Sequence, residues 1–268
     1  MARSRHCGMN GVRPVEHTRS SVWPLEWVGP WTCCVMLKQS SSDRNSEVSV
    51  QLVESTWMLK SPRRSMEEDL EQIEYKTYKI EKEDQSIYSF VFNDIMGIEK
   101  NLDHGVNVDD LKLALQGHMK DNYKFNPVSP LTQNDPGYNS NPSLDDKVHV
   151  MVGVIPADSV SLLSDEVVQK LRQLRAAATE LEIPQMAILT KVDQACPEVK
   201  RDINNLHKSK YLKEQVEKFS YLLGLPVNCI FLLKNYESEI DTSNEISVPI
   251  LAALKQMMNY GDDYLNDH

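Results

Sequence analysis

The chain has 268 residues, 41% of them hydrophobic, and a formal net charge of −10 at pH 7. This length accommodates one α/β domain of about 200 residues with an additional segment, or two small domains. No apolar run approaches the roughly 18 residues of a membrane helix, and the acidic charge argues against a nucleic-acid binder. The five cysteines show no CxxC pair or metal-ligand spacing, which favours a reducing compartment.

The composition changes near residue 65. Residues 1–65 hold nine Lys or Arg against five Asp or Glu, together with all four tryptophans. They show no sustained helical or strand period, apart from residues 31–37, which could form one buried strand. We therefore predict a poorly ordered or atypical segment over residues 1–65 and an α/β domain over residues 66–268.

Two strands are predicted at the start of this domain. Residues 74–82 alternate in polarity, which is typical of an edge strand, and residues 86–92 are more apolar. The second strand runs into a polar loop, Asp94-Ile95-Met96-Gly97. In phosphate-binding folds such an Asp reaches Mg²⁺ and such a Gly meets the terminal phosphate, although the pattern is also common in ordinary turns.

A helix and a long loop are expected next. Asn107 is a suitable N-cap for a short helix, because acidic residues follow it in the first turn. Residues 121–146 are rich in Asn, Pro, Asp and Ser, which indicates a surface loop. The apolar run at residues 148–155 predicts a central parallel strand, and Ser164 is the expected cap of the helix that follows.

Four consecutive apolar residues, at positions 186–189, predict a buried parallel strand leading into Thr190-Lys191-Val192-Asp193. Open α/β sheets bind ligands at the carboxyl ends of their strands. There the Lys191 stem can cover a purine ring while Asp193 accepts two N–H bonds from guanine. The alternative is a solvated loop that carries two charges.

The C-terminal part continues the alternation of helix and strand. Pro197 suits the first position of a helix, and Gly224 is expected to close the helix that packs Leu212 and Phe219. Residues 227–233 predict a strand that ends in Lys234-Asn235-Tyr236. The last helix is expected to begin near residue 247 and to stop at Gly261.

This order of elements predicts an α/β fold with a mostly parallel sheet and helices on both faces. Three polar loops, at residues 94–97, 190–193 and 234–236, would then gather at one edge of the sheet. Their order along the chain matches the third to fifth motifs of a GTP-binding domain.

The same stretches resemble a known family. The matching segments are residues 78–80, 90–97, 117–118, 123–127, 142–144, 160–164, 183–185, 189–197, 234–236 and 262–264. Over about residues 74–268 the chain resembles the interferon-induced protein 44 and 44-like family. The resemblance implies a GTPase-like domain in an interferon-induced, cytoplasmic protein of the antiviral, innate immune response.

The resemblance also implies roles for individual residues. Asp94 and Gly97 would serve Mg²⁺ and the γ-phosphate, so Asp94 is the candidate metal ligand. Thr190, Lys191 and Asp193 would form the guanine motif, with Thr where GTPases more often have Asn. Lys234 and Asn235 would belong to the loop whose backbone lies behind the base. The implied ligand is GTP or GDP with Mg²⁺.

One departure from the GTP-binding pattern is serious. Such domains begin with a strand and a GxxxxGK[ST] loop that cradles the phosphates, and this sequence contains no such loop. The expected fold is therefore P-loop GTPase-like without a recognisable first strand and phosphate loop. Residues 31–37 would have to fill the place of the missing strand.

Three functions remain open at this point. The favoured one is a pseudo-GTPase, a degenerate G-like domain that acts through protein partners of the immune response or through self-association. No catalytic residue and no GTP hydrolysis are expected in this case. The second is a GTP-binding switch or weak GTPase, and the third is a structural α/β interaction module in which the three loops are inert.

Overall fold

A computed structural model describes residues 33–39, 74–82, 85–95, 106–126, 128–237, 239 and 241–268. The strands are β1 Cys33–Gln39, β2 Glu74–Glu81, β3 Ile87–Ile95, β4 Tyr123–Lys124, β5 Val150–Pro156, β6 Gln185–Thr190 and β7 Ile230–Leu232. The α-helices are α1 Val108–Leu115, α2 Asp165–Glu180, α3 Val192–Ala195, α4 Pro197–Arg201, α5 Lys210–Leu223 and α6 Asn244–Asp267. Short 3₁₀ segments lie at Leu144–Asp146, Ser159–Leu162, Ile203–Lys208 and Val227–Cys229.

The seven strands form one sheet in the order β4-β2-β3-β1-β5-β6-β7. Only β5, β6 and β7 pair in parallel, whereas β1 pairs antiparallel with both β3 and β5, and β2 pairs antiparallel with β3 and β4. The sheet is therefore mixed, and the prediction of a mostly parallel sheet is wrong. An apolar run indicates that a strand is buried, but it does not reveal the direction in which the strand is inserted.

Strand β1 is the central strand of the sheet. It lies two residues further along than the predicted strand at residues 31–37, and Met36 and Leu37 have no exposed surface. This part of the 1–65 segment is thus integral to the sheet. The other residues of that segment lie outside the described part of the chain, so a boundary at residue 65 remains a prediction.

Helices cover both faces of the sheet, as predicted. On one face α1, α2 and α5 pack against a core that includes Met36, Ile95 and Ile155. On the other face α6 packs against a core that includes Leu37 and Phe92. Successive residues of a strand point to opposite faces, so Met36 and Leu37 join β1 to both cores.

The helix caps expected from the sequence are confirmed. The Asn107 side chain accepts a hydrogen bond from the Asp109 N–H at 2.9 Å, and Ser164 Oγ accepts one from the Val167 N–H at 3.4 Å. These side chains satisfy N–H groups that have no partner inside the helix. Gly224 ends α5 with a φ of 70°, a conformation that glycine adopts with little strain.

Other elements also differ from the predictions. Strand β2 is not an edge strand, because the two-residue β4 pairs with its outer side. The predicted strand at residues 227–233 is reduced to β7, preceded by a 3₁₀ turn. Helix α6 begins earlier than expected and continues through Gly261. A Cβ at Gly261 would lie 2.6 Å from Gln39 Oε1, so this glycine lets the helix approach β1.

Strand β5 contains a glycine that leaves space in the core. A Cβ at Gly153 would meet no atom within 4 Å, and a cavity of about 30 Å³ lies beside it between the sheet, α2 and α5. Glycine also weakens a strand interior through its backbone entropy. We expect Gly153→Ala to raise the free energy of unfolding by about 1 kcal/mol, measured by urea titration.

The matched control is Gly224→Ala. Its φ of 70° disfavours a side chain, and the new Cβ would lie 3.3 Å from Arg175 Nη1. This variant is expected to lose about 1 kcal/mol. A Gly153→Ala variant that is no more stable than the original chain would contradict the packing described for β5.

Candidate functional site

Five of the predicted site residues lie at the carboxyl edge of the sheet, the edge at which β5, β6 and β7 end: Thr190, Lys191, Asp193, Lys234 and Asn235. Strand β3 points the same way as β5, because both run antiparallel to β1. The direction of four strands therefore agrees with the expectation that polar segments follow them at one edge. How close these segments come depends on where each strand ends.

The segment after β6 is shorter than predicted. Thr190 is the last residue of the strand, and α3 already begins at Val192, so Lys191 alone makes the connection. Lys191 adopts a left-handed conformation with a φ of 53°, and its carbonyl accepts bonds from the Gln194 and Ala195 N–H groups. A non-glycine residue rarely adopts this conformation, and here it allows an abrupt change from strand to helix.

Asp193 lies in the first turn of α3 and not in a loop. Its side chain is half-buried, and within the described part of the chain its carboxylate makes no hydrogen bond or ion pair. The first turn of a helix favours a negative charge. The carboxylate of Asp193 is therefore available at the carboxyl edge.

The segment after β7 lies next to the one after β6. The Leu233 N–H donates to the Leu189 carbonyl at 2.9 Å, which extends the pairing of the two strands and makes Lys234 a neighbour of Lys191. Lys234 Nζ lies 2.6 Å from Glu239 Oε1. Asn235, which follows it, is half-buried.

The ion pair with Lys234 strongly changes the pKa of Glu239. Burial raises the pKa of Glu239, but hydrogen bonds from Lys234 Nζ and from the Glu237 N–H outweigh this effect and lower that pKa to about 2. Glu239 is thus ionised at neutral pH. Lys234 is engaged by this carboxylate, which competes with any ligand for its charge.

Asp94 lies away from these residues. It is the penultimate residue of β3 and not part of a loop after the strand. The pairing of β3 with β1, of β1 with β5 and of β5 with β6 places Asp94 at the same height in the sheet as Val152 of β5 and Met186 of β6. Asp94 therefore lies four residues below the level of Thr190, where β6 ends. Since β3 and β6 are three strand spacings apart, the backbones of Asp94 and Thr190 are roughly 20 Å apart. Gly97 lies outside the described residues.

The structure thus brings together Thr190, Lys191 and Asp193 with Lys234 and Asn235, and it places Asp94 elsewhere. The alternation of Phe90 and Phe92 could have indicated that β3 continues through Asp94, because all three fall on one face. Within the described residues, no group of three or more His, Cys, Asp or Glu side chains is arranged to hold a metal ion. None of the described helices is long and apolar enough to cross a membrane.

A second site, at the opposite amino edge, has no counterpart in the sequence motifs. It is a cleft of about 500 Å³. Its lining comes from distant segments: Leu115, Gln116, His118, Pro142, Lys147, Glu180, Leu181, Glu182, Ile183, Tyr264 and His268. No local pattern could have indicated a cleft that is assembled from so many separate parts of the chain.

Aromatic rings connect this cleft to the core. His268 stacks on Tyr264 with 4.2 Å between ring centroids, and Tyr264 stacks on His149 at 5.5 Å. His149 is fully buried beneath the cleft. Burial also raises the pKa of Tyr264, so its hydroxyl stays protonated at neutral pH.

Comparisons with known proteins agree with the family resemblance. The chain is 31% identical over 194 residues to interferon-induced protein 44 of Mus musculus, covering 72% of this chain and 46% of that protein. It is 31% identical over 196 residues to interferon-induced protein 44-like of Homo sapiens, covering 72% and 43%. Interferon-induced protein 44 of Homo sapiens is 29% identical over 194 residues, covering 72% and 44%.

The chain spans a little under half the length of these curated relatives. No protein-family model matches the chain, and no solved structure matches it. The fold and the carboxyl edge define an α/β protein with a seven-stranded mixed sheet. The relatives confirm the resemblance of this chain to the interferon-induced protein 44 and 44-like family.

Proposed function

We propose that this chain is an interferon-inducible, cytoplasmic protein of the innate antiviral response whose degenerate G-like domain acts through protein partners. The names of its relatives support the interferon-inducible role. The shared direction of β3, β5, β6 and β7, with helices on both faces, supports a P-loop GTPase-like ancestry. In this proposal the protein does not hydrolyse GTP.

The direction of β1 is the observation that carries the proposal. A phosphate loop follows a central strand at the carboxyl edge and leads into a helix, whose N-terminus faces the phosphates. Strand β1 occupies the central position but runs the other way, so the chain enters β1 at Cys33 on the carboxyl edge and leaves it after Gln39 on the amino edge. A phosphate loop after β1 would therefore lie on the wrong side of the sheet.

The described residues at the carboxyl edge are suited to binding a base. Lys191 and Asp193 could still meet a guanine ring, with Asn235 behind it. Each charge-assisted bond to a phosphate that is not made loses roughly 1.5–3 kcal/mol. The loss of several such bonds lowers the affinity for GTP by orders of magnitude.

The alternative is a GTP-binding switch or weak GTPase, with GTP or GDP and Mg²⁺ as ligands. The proximity of Thr190–Asp193 to Lys234–Asn235 favours it, because this is the arrangement of the base-binding half of such a site. It requires a phosphate loop from another source. It also requires Asp94 and Gly97 to reach Mg²⁺ and the γ-phosphate.

A cross-linking experiment tests the direction of β1. Cys34 lies directly opposite Ile95 in the antiparallel register, and such pairs have Cα atoms about 4.5–5.5 Å apart, within disulfide range. We expect Ile95→Cys to form a disulfide with Cys34 on mild oxidation. Peptide mass spectrometry after proteolysis identifies the cross-link.

Val91→Cys is the control for this experiment. Val91 lies opposite Lys38 and four residues from the partner of Cys34, so no cross-link to Cys34 is expected. A parallel β1 would reverse the outcome of the two variants. That result would remove the main support for the proposed loss of phosphate binding.

Nucleotide titration tests the proposed function itself. We expect the melting temperature of the full chain to be unchanged by GTP, GDP or guanosine, with or without Mg²⁺, because a ligand that does not bind the native state does not stabilise it. Asp193→Ala is expected to leave the titrations unchanged. Stabilisation by GTP over guanosine that is lost in Asp193→Ala would establish the switch alternative instead.

A further inference from the structure

Helices α1 and α2 end at the cleft of the amino edge, and the C-terminal residues of α6 that the structure describes also line it. The cleft is lined by the last residue of α1 and its C-cap, by the last residue of α2 and its C-cap, and by the last turn of α6. A helix C-terminus carries about half a negative charge from its aligned peptide dipoles. The C-termini of α1 and α2 therefore give the cleft a negative potential before any side chain is counted.

Side chains add to this potential. Helices usually place Lys, Arg or His in the last turn, where a positive charge is favourable. The last turn of α2 contains no basic residue, and α2 ends instead in Glu180, followed by Glu182. The cations at the cleft are Lys147 and, when protonated, His118 and His268, of which His268 lies 3.4 Å from Glu182.

Glu182 occupies a position where a helix commonly carries glycine. Its φ is 58°, its N–H donates to the Thr179 carbonyl at 3.1 Å, and the Ile183 N–H donates to the Ala178 carbonyl at 2.9 Å. This pair of bonds ends a helix through a left-handed residue, for which glycine is strongly preferred. A carboxylate is thus held at the cleft in a backbone conformation that disfavours it.

The cleft also offers apolar and aromatic surface. Leu181 is half-buried at the cleft, and the exposed His268 ring stacks on Tyr264, which is itself buried between His268 and His149. A planar guanidinium stacks on aromatic rings and binds carboxylates through paired hydrogen bonds, which an ammonium group cannot do in the same way. The combination of the His268 ring, the carboxylates and the helix C-termini is complementary to arginine.

We propose that the amino-edge cleft binds an arginine side chain from an extended segment of a protein partner, with Glu180 and Glu182 as its counter-charges. The inference rests on the proposed role in protein binding and specifies the chemistry of the partner. It does not depend on the carboxyl edge, which lies at the other end of the strands.

The test uses the full chain and a capped pentapeptide, Ser-Gly-Arg-Gly-Ser, followed by amide NMR titration at low ionic strength. The comparison peptide carries citrulline, which keeps the shape of arginine and removes its charge. We expect shifts centred on residues 115–118 and 180–183, and an affinity about tenfold weaker for the citrulline peptide. No saturable shift with the arginine peptide would overturn the inference.

Matched variants separate this site from the general attraction of an acidic protein for a cation. The double variant Glu180→Gln/Glu182→Gln is expected to lower the affinity for the arginine peptide about fivefold or more. Glu214→Gln/Glu217→Gln removes the same charge from the exposed side of α5 and is expected to change the affinity less than twofold. Equal weakening by both double variants would overturn the inference.

A third variant distinguishes binding from stability. Glu182→Gly removes the strain of a side chain at a left-handed position, so we expect it to raise the melting temperature. It should also lower the affinity for the arginine peptide. A gain in stability with unchanged affinity would show that Glu182 takes no part in binding. If the arginine peptide does not bind, the proposed function still stands. If GTP stabilises the chain, the proposed function is contradicted and the peptide result is unaffected.

Discussion

Replacing His149 by leucine is expected to lower the free energy of unfolding by about 2–4 kcal/mol at neutral pH. The ring is fully buried, its Nδ1 accepts a hydrogen bond from the Gln39 N–H at 2.8 Å, and its Nε2 lies 2.9 Å from the Leu144 carbonyl oxygen. Since a backbone N–H donates to Nδ1, Nε2 carries the proton and the ring is neutral. Leucine would fill the space but remove the acceptor of the buried Gln39 N–H, and it would leave the Leu144 carbonyl with the Lys147 N–H as its donor.

The same contacts predict how stability depends on pH. Burial lowers the pKa of His149, assisted by Lys38 and His268 and opposed by the Leu144 carbonyl and Asp145. A pKa that is lower in the folded state contributes stability above the unfolded value of about 6.5, and this contribution is lost as the pH falls. We expect the difference in stability between the original chain and His149→Leu to shrink between about pH 7.5 and about pH 5.5.

Urea titrations at the two pH values measure this difference. His118→Leu is the control, because His118 is partly exposed and its ring lies against the Asn139 carbonyl and the Tyr138 ring. Its effect is expected to be small, within about 1 kcal/mol. If the gap between the original chain and His149→Leu stayed constant over this pH range, His149 would not be the group that titrates.

Leu37→Ala is the second change with a large expected effect, a loss of about 2–5 kcal/mol in the free energy of unfolding. Leu37 has no exposed surface, lies on the central strand opposite Phe92 and Val150, and faces α6. Truncation leaves a cavity that neighbouring strands on both sides hold open. The midpoint of a urea or thermal transition reports the loss.

Leu162→Ala is the control for this variant. Leu162 is 69% exposed, so its truncation is expected to change stability by less than about 0.5 kcal/mol. If Leu37→Ala behaved in the same way, β1 would not be a part of the folded sheet. The result therefore also tests whether residues before position 65 contribute to the domain.

The sequence by itself determined much of the local structure. Asn107 and Ser164 begin their helices and Gly224 ends its helix as predicted, because a cap depends on the chemistry of one residue and its neighbouring backbone. The burial of β5 and β6 followed from continuous apolar runs. The family resemblance was likewise evident from short motifs, and the curated relatives confirm it.

Only the tertiary structure decided the direction of β1, because burial is the same for a strand inserted either way and the hydrogen bonds to β3 and β5 make the choice. It also decided that β3 continues through Asp94, since pairing with β1 satisfies the backbone that a loop would have exposed to water. The amino-edge cleft is a tertiary feature for a related reason. The ends of α1, α2 and α6 are far apart in the chain, and only the packing of both helical layers on one sheet brings them together.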